Sequence, residues 1–131
     1  MASLRPFFCF YGGKWRSAPK YPTPNHGQVI EPFAGAAGYS VRHHHLDVLL
    51  CDIDEVVCGV WDYLINVSPG EVIALPNIYP GQTVSDLAVT QEAAWLIGFW
   101  LNKGVARPCL SPSAWMKSGK HKTSFWGDSV K

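Results

Sequence analysis

The chain of 131 residues contains no Cys-x-x-Cys pair and no Gly-x-Gly-x-x-Gly fingerprint. No apolar run approaches the roughly 18 residues of a membrane helix. Its formal net charge is only +1, with a pI of about 7.7. Each scarcity narrows the function. A near-neutral balance argues against a bulk electrostatic nucleic-acid binder, leaving room only for a local basic patch. The sequence Gly35-Ala36-Ala37-Gly38 does not match the turn a nicotinamide-dependent oxidoreductase requires. The start, Met1-Ala2-Ser3-Leu4-Arg5-Pro6, lacks a signal-peptide core, so neither export nor a membrane is expected. Cys9, Cys51, Cys58 and Cys109 are widely spaced in mostly apolar surroundings. They read as buried reduced thiols in a cytoplasmic protein. No internal repeat or low-complexity segment is evident.

What is present suits one modest domain: 47% hydrophobic and 13% aromatic residues are ample for a packed core. The organising stretch runs from Val29-Ile30-Glu31-Pro32-Phe33-Ala34-Gly35-Ala36-Ala37-Gly38 to Leu46-Asp47-Val48-Leu49-Leu50-Cys51-Asp52-Ile53-Asp54. It predicts a short buried strand ending in an acidic residue, a small-residue turn, a helix over residues 36–44 and a second strand ending at Asp52. Pro32 lacks a backbone N–H and belongs at a strand exit. The small residues that follow are expected to let a ligand approach the backbone closely at a helix start. Asp52 follows Gly35 at an offset close to the roughly 20 residues at which an acidic side chain grips ribose hydroxyls in nucleotide-binding units. The pattern is therefore α/β, half of a nucleotide-binding unit, and the ligand should contain a ribose.

Ahead of this stretch, Phe7-Phe8-Cys9-Phe10-Tyr11 breaks at Gly12-Gly13 and continues into Lys14-Trp15-Arg16. Two readings stand. The run is a hydrophobic terminal strand with a tight turn, or the paired glycines turn N–H groups and Lys14 toward a ligand or phosphate. His43-His44-His45 reads as a solvated helix end and not as a metal site, because adjacent side chains diverge on any regular backbone. Asp54 should cap a helix over residues 55–66 whose Val57, Val60, Trp61, Leu64 and Ile65 form a core stripe. Ser68-Pro69-Gly70-Glu71 has the form of a capping box, predicting a helical turn through Leu75 before Pro76. Thr90 should cap a further helix running to Leu101. That helix is apolar all round, so it must be enclosed by other elements or by missing chain. Toward the end, Lys117, Lys120, His121 and Lys122 form a basic loop between Trp115 and Trp126. Such a loop suits a nucleic-acid strand or is simply solvated.

Three motifs in order, Phe10-Tyr11-Gly12-Gly13-Lys14, Glu31-Pro32-Phe33-Ala34-Gly35-Ala36 and Cys51-Asp52-Ile53-Asp54, resemble the opening motifs of the adenine-N6 DNA methyltransferases of the DNA adenine methylase type. A fainter match is Trp100-Leu101-Asn102-Lys103-Gly104, so the likeness covers roughly residues 7–104. The resemblance implies a Rossmann-like S-adenosylmethionine-dependent methyltransferase fold. It also implies methyl transfer to N6 of an adenine flipped out of double-stranded DNA. By position, Phe10, Tyr11, Gly12, Gly13, Lys14, Glu31, Pro32, Phe33, Gly35, Asp52 and Ile53 would surround S-adenosyl-L-methionine. Asp52 would hold the ribose, with Phe10 preferred over Tyr11 as the family's aromatic. Asn102, Lys103, Lys117, Lys120 and Lys122 would face DNA.

The family's catalytic tetrapeptide, Asp or Asn followed by two prolines and an aromatic, has no counterpart, for the sequence contains no Pro-Pro. No catalytic residue and no metal ligand are assigned. The expected fold is an incomplete one, with a cofactor-binding α/β half over residues 1–90 and a partial target-recognition or connecting region over 91–131. A fragment, a chain completed by a second polypeptide carrying the missing motif, and a decayed enzyme that keeps its cofactor half all fit. Alone, the chain is expected to transfer no methyl group strongly. The competing reading is a non-catalytic binding module derived from such an enzyme.

Overall fold

The computed structural model describes residues 4–118 and 125–131. Among these it shows a mixed α/β architecture, with a small two-stranded parallel sheet and five α-helices. Strand β1 (Gln28–Glu31) and strand β2 (Asp47–Leu50) pair in parallel, with Val29 opposite Val48 and Glu31 opposite Leu50. The pairing continues past both strands, where the Cys51 amide donates to Glu31 O at 3.0 Å and the Ala34 amide to Cys51 O at 2.9 Å. Both strands therefore release their chains at one end of the sheet, which brings Glu31 and Asp52 to the same side.

Helix α1 (Gly38–Arg42) is shorter than the stretch 36–44 suggests. Its delay follows from the connecting loop, in which Phe33, Gly35 and Ala37 all take left-handed φ angles of 51° to 55° that no helix accommodates. Helix α2 (Glu55–Asn66) begins as expected, with the Val56 amide donating to Asp54 Oδ1 at 2.9 Å. Its Val57, Val60 and Trp61 are buried, but Leu64 is only half-buried and Ile65 is 71% exposed, so the core stripe narrows toward the helix end. Helix α3 (Pro69–Ala74) carries the full capping box, Ser68 and Glu71 each bonding the other's backbone N–H. Helix α4 (Gln91–Phe99) is capped by Thr90 Oγ1 and stops two residues before Leu101. Helix α5 (Ala114–Lys117) is a single turn.

Two further expectations are corrected. The aromatic run over residues 7–11 forms no strand: Phe8 is drawn into the core, with ring centroids 5.0 Å from Phe99 and 5.6 Å from Trp61, which bends the backbone out of an extended line. The cysteines are not buried, since Cys51 and Cys58 are exposed and Cys9 and Cys109 only half-covered. Apolar sequence neighbours do not bury a residue at the edge of so small a sheet.

Helix α4 is enclosed by this chain itself. It packs on α2, and the Cys109 amide bonds Gly98 O at 3.0 Å while the Ser113 amide bonds Leu101 O at 3.2 Å. Gly98 makes that crossing feasible: a Cβ there would stand 2.7 Å from Cys109 O. The open apolar surface lies on the sheet instead, where the register pair Ile30 and Leu49 are 58% and 51% exposed. Parallel strands are normally covered on both faces, so this is where the fold is thinnest. Among the described residues, no helix is long and apolar enough to cross a membrane.

Candidate cofactor-binding site

The site is built on the loop that leaves β1. Glu31, the last residue of that strand, is only 4% exposed, and its Oε2 accepts the Ser40 amide of α1 at 2.9 Å. A buried carboxylate needs a counter-charge. Lys14 supplies it, with Nζ 3.1 Å from Glu31 Oε1. The same ammonium donates to Phe33 O at 2.8 Å and reaches toward Pro32 O at 3.5 Å.

Lys14 is aimed by the turn before it. Gly12 takes a φ of 73°, and the Gly13 amide closes onto Phe10 O at 3.1 Å. After the turn, Lys14 O accepts the Ala18 amide at 2.7 Å and Ser17 Oγ at 3.1 Å, which holds the lysine backbone while its side chain swings to the loop.

Asp52 stands just beyond β2, half-buried. Its Oδ2 accepts the Gly35 amide at 2.9 Å and its Oδ1 the Asp54 amide at 2.9 Å. A carboxylate oxygen has two lone-pair sites, so each keeps capacity for one more donor such as a hydroxyl. Gly35 is held from both sides, because Trp61 Nε1 donates to its carbonyl at 2.7 Å.

Two small residues of the loop make room for the chain itself. A Cβ on Gly35 would stand 2.8 Å from the Phe10 ring, and a Cβ on Gly38 would stand 2.1 Å from the Trp15 backbone nitrogen. The close approach at Gly35 and Gly38 is made by the chain's own aromatic segment. Arg42 then clamps that segment, its Nε donating to Trp15 O at 2.8 Å and its guanidinium lying 4.0 Å above the Trp15 ring.

Phe10, Gly12, Gly13, Lys14, Glu31, Pro32, Phe33, Gly35 and Asp52 are thus gathered at one end of the sheet, although they come from three separate stretches. Phe33 is 81% exposed and Ile53 is 95% exposed, so two apolar side chains stand in solvent beside the gathered polar groups. Tyr11 is different: its side chain is exposed, and its amide donates to Val105 O at 2.9 Å. That bond brings the Asn102-Lys103-Gly104 segment beside the glycine turn.

Asn102 Oδ1 accepts the Lys103 amide, and Lys103 Nζ lies 5.8 Å from the centroid of the Phe125 ring. Lys117 is exposed at the end of α5. Lys120 and Lys122 lie outside the described residues. Sequence reasoning missed Ser40, Trp61 and Arg42 as supports of the site. Trp61 carried only the signal of a core residue, and no spacing rule marks the Arg42 contact.

A groove of about 570 Å³ opens between α1, β2 and α2, shares Ala34, Ala37 and Asp52 with the loop, and does not include Phe10, Lys14 or Glu31. Among the described residues, no group of three or more His, Cys, Asp or Glu side chains is arranged to hold a metal ion. Compared with models of known families, with curated proteins and with solved structures, the chain matches none.

Proposed function

We propose that this chain is a DNA adenine-N6 methyltransferase, or the part of one that binds S-adenosyl-L-methionine. One observation carries the reading: Lys14 and Asp52 converge on the backbone of residues 32–35, and the buried Glu31 carboxylate pairs with that same Lys14, at the carboxyl ends of two parallel strands. Ligands of open α/β sheets are held outside those ends. The three sequence motifs that resemble the family are the same three segments that meet there.

The residues fit the cofactor. Glu31 Oε1 is buried and receives no hydrogen bond, and with Phe33 O it offers acceptors to the ammonium of an amino-acid tail. Asp52 has lone pairs left for ribose hydroxyls, and Phe33 and Ile53 offer apolar surface to a purine ring. When bound, the cofactor supplies a methyl group on a cationic sulfonium. The chain's part is to orient it, since transfer needs an acceptor nitrogen in line at near-attack distance.

Double-stranded DNA is the proposed partner, met by Asn102, Lys103 and Lys117, with the flipped adenine held by an Asp/Asn-Pro-Pro-aromatic motif on a second polypeptide. A second reading, a non-catalytic S-adenosylmethionine- or DNA-binding module, is favoured by the lack of any Pro-Pro in the sequence. Both readings go with a cytoplasmic protein.

Calorimetric titration with S-adenosylmethionine tests the shared claim, and absence of binding by folded chain overturns it. Methyl transfer from radiolabelled cofactor to adenine-containing duplex separates the two. Binding without transfer, restored by an added polypeptide bearing the missing motif, supports the enzyme reading; binding that no such addition converts to transfer supports the module.

A further inference from the structure

We propose that Lys14 is an exchangeable counter-ion, closing the seat beside Glu31 until a ligand that carries its own ammonium group displaces it. The inference rests on the cofactor reading above and adds how the site selects its ligand.

Glu31 has two carboxylate oxygens in different states. Oε2 takes a well-formed bond from the Ser40 amide, whereas Oε1 is buried and has no donor in hydrogen-bonding geometry. Lys14 Nζ is only 3.1 Å away and neutralises the charge as an ion pair. The ammonium points its donors at Phe33 O, at 2.8 Å, and at the more distant Pro32 O, at 3.5 Å. It compromises among three acceptors. Lysine carries a compact charge on a flexible stem, and this side chain is 25% exposed, so it has a route out.

Removing the cation alone would strand a buried carboxylate, which is costly. Exchange is cheap only if a second cation arrives. An α-ammonium on a small ligand can satisfy Oε1 and Phe33 O together, because it is not tethered, as Lys14 is, to a backbone position 19 residues away from Phe33. A nucleoside without an amino-acid tail brings no such cation and leaves Lys14 in place. Lys14 is thus a positioning residue that favours amine-bearing nucleosides.

Reductive methylation of the full chain, mapped by mass spectrometry with exposed Lys20 as internal reference, reads the exchange directly. The expected result is unusual in sign: saturating S-adenosylmethionine raises Lys14 labelling several-fold, and saturating adenosine leaves it unchanged. If calorimetry shows S-adenosylmethionine bound while Lys14 labelling stays level or falls, the exchange is overturned and the cofactor reading survives. If neither ligand binds, the cofactor reading fails and takes this inference with it.

Discussion

The Gly35 amide donates to Asp52 Oδ2 at 2.9 Å across 17 residues of sequence, and the other oxygen of the same carboxylate takes the Asp54 amide. Asp52 therefore shapes the loop whether or not a ligand is present. Replacing it with alanine removes both bonds, each worth about 1–3 kcal/mol when an ionised acceptor is lost. The expected outcome is a clear fall in melting temperature. S-adenosylmethionine binding should weaken roughly tenfold or more, because each 1.4 kcal/mol is a factor of ten. Asp52→Asn keeps one carbonyl acceptor, so its melting temperature should fall between wild type and Asp52→Ala. Equal melting of all three proteins would remove Asp52 from the loop's support.

Gly38 is expected to be the least replaceable glycine. An added Cβ meets Trp15 N at 2.1 Å and Lys14 C at 2.7 Å, all backbone atoms that cannot rotate away. Overpacking costs about 1–3 kcal/mol even where side chains can yield, so Gly38→Ala should exceed that range in a denaturant titration. It should also loosen Lys14 from the loop and weaken cofactor binding. Gly27→Ala is the control: nothing lies within 4 Å of its Cβ position and its φ is not left-handed, so its effect should stay within about 0.5 kcal/mol.

Ile30 and Leu49 face each other across the sheet and are both more than half exposed. Exposed apolar pairs on an open sheet drive association more than they stabilise the monomer. The double substitution Ile30→Thr with Leu49→Thr should reduce light scattering at high concentration while moving the melting temperature little. A large loss of stability would mean that this face is covered in solution.

His43 predicts a stability slope in mild acid. Burial first, then the neighbouring charges of His45 and Arg42, hold its pKa below the ordinary 6.5, while its ring also packs on Tyr39. The unfolded chain then takes up a proton that the folded chain resists, so stability falls as pH drops through about 6.5 toward the lower folded value. Melting temperatures recorded between about pH 8 and pH 5 should show this fall. They should show less of it in His43→Gln, and an identical slope in both proteins would exclude His43 as its source.

By itself the sequence determined the local elements. The strand ending at Glu31, the Asp54 and Thr90 caps and the capping box at Ser68 and Glu71 stand as read, because each depends on groups within a few residues of one another. The nearness of Glu31 and Asp52 was also legible, since two parallel strands joined by one helix must end on the same side. Tertiary structure alone decided the rest. That Gly35 and Gly38 yield space to Phe10 and Trp15, that Lys14 spans to Phe33 O, and that α4 is roofed by residues 108–113 are contacts between distant segments. Small residues look the same in sequence whether a ligand or the chain's own backbone comes close, and only the path of the intervening chain chooses between the two.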